Sequence, residues 1–115
     1  MLYIKAEKED KQFFEKLCEE YPPIIMSSSK NFDGSSEIIE VFIELSPVIL
    51  SSITIIVHDI LHYMKAKYKS KEDNKSEISI EKKMPDGEYK VLIKSSKIDD
   101  VEETIKETVR QIKKL

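Results

Sequence analysis

The run Val48-Ile49-Leu50-Ser51-Ser52-Ile53-Thr54-Ile55-Ile56-Val57 constrains this chain more than any other segment. Ser46-Pro47 stands immediately before it. Serine is a favoured helix N-cap and proline is tolerated at the first helical position, so the pair reads as a helix start. The spacing predicts a helix from Pro47 to about Lys69. Its first half is apolar nearly all round, which points to burial on several sides. From His58 onward the pattern is amphipathic. The apolar run is only about half a bilayer span, since a spanning helix needs roughly 20 apolar residues. Glu40 and Glu44 precede it and Asp59 follows. A buried helix is therefore expected, not a membrane span.

Composition says what can cover that helix. The chain has 115 residues, 40% hydrophobic and 36% charged, with a net charge of −3. That describes one soluble globular domain over residues 1–115. Seventeen isoleucines and no tryptophan point to a core of β-branched aliphatics. Leu2 to Ala6 alternates as a short strand. Asp10 is placed to cap a helix running to about Tyr21, with Phe13, Phe14, Leu17 and Cys18 at helical spacing. Pro22-Pro23 stops that helix. Ile24-Ile25-Met26 reads as a second strand, and Ser27 to Ser36 as a polar loop.

Glu37 to Leu45 fits two patterns. Ile39, Val41, Ile43 and Leu45 alternate with Glu40, Phe42 and Glu44, while Ile38, Val41, Phe42 and Leu45 fit a helical face. The β-branched content favours strand. Ser70 to Ser76 is a charged loop. Ile78 and Ile80 then alternate, as do Tyr89, Val91 and Ile93, and Met84-Pro85-Asp86-Gly87 lies between them, so the unit reads as a β-hairpin. Ser96 is placed to open a final helix, with Asp99 in a capping-box-like position. Ile98, Val101, Ile105, Val109 and Ile112 form its apolar stripe. The order β-α-β-β-α-β-β-α predicts an α+β two-layer sandwich: a mostly antiparallel sheet of about five short strands with three helices.

Chemistry-bearing motifs are sparse. Two glycines exclude the glycine-rich phosphate loops. The lone Cys18 excludes an internal disulfide and suits a cytoplasmic protein. Met1-Leu2-Tyr3-Ile4-Lys5 runs straight into charges, with no signal-peptide pattern. His58-Asp59-Ile60-Leu61-His62 puts two imidazoles on one helical face, and an acid after the first histidine resembles the zinc-hydrolase pattern. A third protein ligand is needed, and nothing in the sequence marks one out. His58 and His62 are therefore read as exposed helix residues, the only weak candidates for a metal. Lys65, Lys67, Lys69, Lys71 and Lys75 interleave with Tyr63 and Tyr68, but Glu72 and Asp73 interrupt them, and the acidic balance argues against nucleic acid. Serines cluster without a nucleophile frame. No catalytic residue and no cofactor are expected.

The segments together carry a resemblance. They are the opening strand Leu2 to Ala6 with its helix, the Gly34-containing loop, and the junction Ile39 to Pro47. The apolar helix ending in the basic cluster Lys65 to Lys69 follows, then the hairpin Ile78 to Ile93 and the acidic-started helix from Asp99. This arrangement resembles the small bacterial domains called effector-associated constant component proteins. Many members carry a tryptophan near the end of the long helix, where this chain has Tyr63 or Tyr68. The resemblance implies a non-catalytic partner module of a bacterial conflict system, with no catalytic residues to carry over. The expected function is protein interaction, with an effector or a second copy as partner. The expected docking surfaces are an unpaired sheet edge and the outer face of the long helix, with His62, Tyr63, Lys65, Tyr68 and Lys69 as contact residues. The alternative is a small-ligand or nucleic-acid-binding protein, such as a phage or mobile-element inhibitor of host defence.

Overall fold

A computed structural model of the chain describes residues 1–30, 37–70 and 77–114, without the side chains of residues 29, 30, 37, 69 and 70. The loops expected over 31–36, with Gly34, and over 71–76 lie outside the described residues. Strand β1 (Leu2–Glu7) leads through a 3-10 turn (Lys8–Asp10) into helix α1 (Lys11–Glu20). Strands β2 (Ile24–Lys30) and β3 (Glu37–Ile43) precede the long helix α2 (Pro47–Ser70). Strands β4 (Ser79–Lys83) and β5 (Tyr89–Lys94), a second 3-10 turn (Ser95–Lys97) and helix α3 (Val101–Lys113) complete the chain. This is the expected α+β order. The five strands form one sheet ordered β2-β3-β1-β4-β5, antiparallel at every pairing.

Period-two alternation sorts the side chains between the faces of the sheet. Ile4 lies between Val41 of β3 and Ile80 of β4, and Leu2 lies opposite Ile43. These residues are buried, and they share one cluster with Phe14 and Leu17 of α1, Ile53 and Ile60 of α2, and Ile105 and Ile112 of α3. All three helices thus pack on one face of the sheet. The ambiguous segment is a strand, and Ile39, Val41 and Ile43 are fully buried along it.

The helix start at Ser46-Pro47 forms as read: the Ile49 amide donates to Ser46 Oγ at 3.3 Å. The hairpin turn also forms. Gly87 adopts φ 90°, and the Met84 amide donates to the Glu88 carbonyl at 2.7 Å.

Four local readings need correction. Strand β2 continues past Met26, because Ser27 and Ser28 pair with Glu40 and Ile39; backbone pairing extends a strand that side-chain patterning ended. Asp10 makes no side-chain cap to α1; it is fully buried and accepts from the Glu7 amide at 2.9 Å. Helix α3 opens at Asp100, whose Oδ1 accepts from the Glu103 amide at 3.2 Å, and not at Ser96. In that turn the buried residue is Ser95, whose Oγ accepts from the Ile78 amide at 3.1 Å, joining the start of β4 to the end of β5. Finally, the first half of α2 is not buried all round: Val48 is 67% and Ile55 58% exposed. Helix α2 is long and apolar enough, over Pro47–Tyr68, to cross a membrane by length and composition alone. Here Ile49, Ile53, Ile56, Val57, Ile60, Leu61 and Met64 spend that apolarity on the core.

Candidate functional site

The second half of α2 carries the residues that the sequence singles out. Tyr63 is half-buried. Its hydroxyl donates to Asp10 Oδ1 at 2.5 Å, and its ring stacks on Phe13 at a centroid distance of 4.1 Å. Lys67 Nζ reaches Asp10 Oδ2 at 2.7 Å and Glu9 at 3.3 Å. The turn after β1 is thereby tied to α2 through one buried carboxylate. Lys65 Nζ donates to the Asp99 carbonyl at 2.6 Å and holds the approach to α3. Tyr68 is half-buried and has partners of its own, and the side chain of Lys69 lies outside the described residues. Among the five expected contact residues, His62 is exposed, while Tyr63 and Lys65 are engaged in internal joints.

His58 and His62 stand side by side on the outer face of α2, ring centroids 4.3 Å apart. The fold adds what the sequence could not mark: Glu102, in the first turn of α3, brings its carboxylate to 3.7 Å from His62 Nε2. Ligand atoms of His58, His62 and Glu102 all lie within 4.8 Å of one another, and all three residues are exposed.

Two tyrosines have pKa values well above the ordinary phenol. Burial, followed by the hydrogen bond to Glu40 (2.7 Å), pushes Tyr3 up to about 12. Burial and the bond to Asp10 push Tyr63 up further. A raised folded-state pKa keeps the proton on where the unfolded chain has lost it. The contribution to stability is full below about pH 10 and is lost as pH rises through the raised values. Melting temperature should therefore fall with each step above pH 10. A spectrophotometric titration should find Tyr3 and Tyr63 still protonated in the native state at about pH 11, where urea-unfolded protein has lost most phenolic protons. Equal titration curves for native and unfolded protein would contradict these contacts.

A large concavity lies elsewhere, where three elements meet. The lead-in and first turn of α2, the β4–β5 hairpin and the C-terminal end of α3 enclose an open groove of about 1010 Å³. Leu45, Leu50, Met84, Leu92 and Ile112 supply apolar lining, and Lys83, Lys90, Lys113 and Lys114 are exposed around it. None of the described residues lining the groove is acidic. Lys82 also lines it, but its Nζ is committed to the carbonyls of Gln111, Ile112 and Lys114, at 3.3, 3.1 and 2.5 Å. A cation there satisfies the open carbonyls of the helix end and suits the negative end of its dipole. An inward-facing lysine on β4 therefore anchors α3 and shapes one wall of the groove.

The face of the sheet turned away from the helices carries a row in register: Ile25, Phe42, Tyr3, Glu81 and Val91 across the five strands. Tyr3 packs between Phe42 and Tyr89 at 5.3 and 5.6 Å. Strands β2 and β5 are the edges. Comparison with family models, with curated proteins and with solved structures finds no match to this chain.

Proposed function

We propose that this domain is a non-catalytic docking module, a cytoplasmic accessory component of a bacterial effector or immune system, and that its groove takes an acidic amphipathic helix from a partner protein. One observation carries this reading: an apolar hollow ringed by exposed lysines, with no acid among the described lining residues, on a chain whose net charge is −3. The cationic ring is a local departure from the charge of the whole. An amphipathic helix fits such a site by laying its apolar face on Leu50, Leu92 and Ile112, leaving its acidic flanks for the lysines. Complementary charge of this kind sets orientation and speeds encounter.

The test is the affinity of a fluorescent helical peptide with leucines on one face and glutamates on the other, read by anisotropy. Saturable binding that weakens with salt is expected. The combined Lys83→Glu, Lys90→Glu, Lys113→Glu variant should bind at least about tenfold more weakly, since like charges brought together cost several kcal/mol. No saturable binding, or equal binding by the variant, would refute the docking site. The groove's size favours one second reading. Ligand sites run to roughly 1,000 Å³, so an anionic amphiphile such as dodecanoate could fill it. Stoichiometric dodecanoate binding with no peptide binding would establish that reading instead.

A further inference from the structure

We propose that His58, His62 and Glu102 form a three-ligand site for a divalent transition ion of the zinc class, with the fourth position left to water or to a donor from a partner. The inference is independent of the groove. Two histidines one helical turn apart share a face, and α3 supplies the third donor by packing beside α2. That placement is fixed from several directions. Lys65 holds the Asp99 carbonyl at 2.6 Å, Asp100 caps the first turn of α3, and Ile98 is buried in the core just before it. Glu102 is thus presented to His62 by well-anchored backbone.

The donor chemistry selects the ion. Tetrahedral coordination at about 2.0–2.1 Å puts donor atoms roughly 3.3 Å apart. His62 Nε2 and Glu102 Oε1 are already 3.7 Å apart, and all three ligand groups fall within 4.8 Å. Small rotations of exposed side chains close the remaining gap. Two imidazoles and one carboxylate suit zinc and its neighbours, whereas magnesium and calcium prefer oxygen alone.

Asp59 completes the arrangement. Its Oδ1 lies 3.1 Å from His58 Nδ1. A carboxylate on one ring nitrogen fixes the tautomer and leaves Nε2 as the donor to an ion. In the zinc-hydrolase pattern the position after the first histidine holds a base; here that carboxylate is engaged with its neighbour and acts as a positioning residue. The ion would tie α2 to α3, so binding should raise the melting temperature.

Calorimetric titration of tag-free protein with zinc chloride, and with magnesium chloride as control, tests the site. The expected result is one zinc per chain and no magnesium uptake. Glu102→Gln and His62→Ala should each weaken zinc binding at least about tenfold, and Asp59→Asn by a smaller factor. These side chains are largely exposed, so the zinc-free variants should melt with the wild type. Zinc should raise the melting temperature of the wild type but not of Glu102→Gln. No saturable uptake, more than one zinc per chain, or undiminished binding by Glu102→Gln would overturn the proposal.

Discussion

Replacing Asp10 with alanine should lower the free energy of unfolding by about 3–5 kcal/mol, the usual cost of removing one partner from a buried ion pair. Asp10 is fully buried, and Lys67 is only 10% exposed. The same carboxylate also accepts from Tyr63 and from the Glu7 amide. Removing it takes the acceptor from a hydroxyl and an amide, and leaves the Lys67 ammonium its longer pairing with the half-exposed Glu9 at 3.3 Å. Domains have about 5–15 kcal/mol in total, so this one change takes a large share. Tyr63→Phe should cost less, about 1.5–3 kcal/mol, the range for a hydrogen bond to a charged group. Asp10 and Lys67 replaced together by leucine and methionine should recover much of the loss, because an apolar pair of similar volume is often neutral. Urea unfolding of the four proteins checks the order. A loss below about 1 kcal/mol for Asp10→Ala would show that the network is solvated and contributes little.

Ile53→Asp and Ile56→Asp should each abolish the cooperative folded state. Both isoleucines are fully buried where α2 crosses the sheet. Each change removes an apolar side chain from the core and leaves a carboxyl group without a partner. The combined cost, about 5 kcal/mol or more, matches the stability of a small domain. Ile55→Asp is the internal control. Ile55 is 58% exposed on the opposite side of the same helix, so its replacement should stay within about 0.5 kcal/mol of wild type. Circular dichroism melts separate the outcomes. Wild-type melting of Ile53→Asp or Ile56→Asp would mean that this half of α2 is not core.

Ile53 and Ile55 also show how far a sequence of this kind can be read. Periodicity revealed the helix and its start, and alternation revealed β1 and the two hairpin strands, because burial is recorded in the spacing of apolar residues. Strand β3 needed its β-branched content, and half of β2 carried no apolar pattern to read. Which turns of an apolar helix meet solvent is not recorded there. Val48 and Ile55 look the same as Ile49 and Ile53 until the sheet and α3 take their sides. Local polar chemistry was read well where both partners are neighbours in sequence, as at Ser46 with Ile49 or in the Met84–Gly87 turn. It missed the local cap of α3 at Asp100, and it failed where the partner is distant. Asp10 looks like a helix cap, but it bonds Tyr63 and Lys67 across the fold.

The candidate sites were less legible for the same reason. Glu102 joins His58 and His62 only through the α2–α3 packing, and the sequence holds many glutamates with equal claim. The groove is assembled from α2, the hairpin and α3, and its lysines are scattered among eighteen in the chain. Their convergence is a property of the topology. The aromatic row of the open sheet face, by contrast, follows from alternation at Tyr3 and Phe42 once the register is known.

The docking account is tested most directly by mapping where the acidic amphipathic peptide sits, using amide chemical shifts of labelled protein during titration. The largest changes should fall at Leu50, Met84, Leu92, Ile112 and Lys113, around the groove. Changes centred on Phe42 and Tyr89 on the open sheet face, or on Tyr63 and Lys65 along α2, would contradict it.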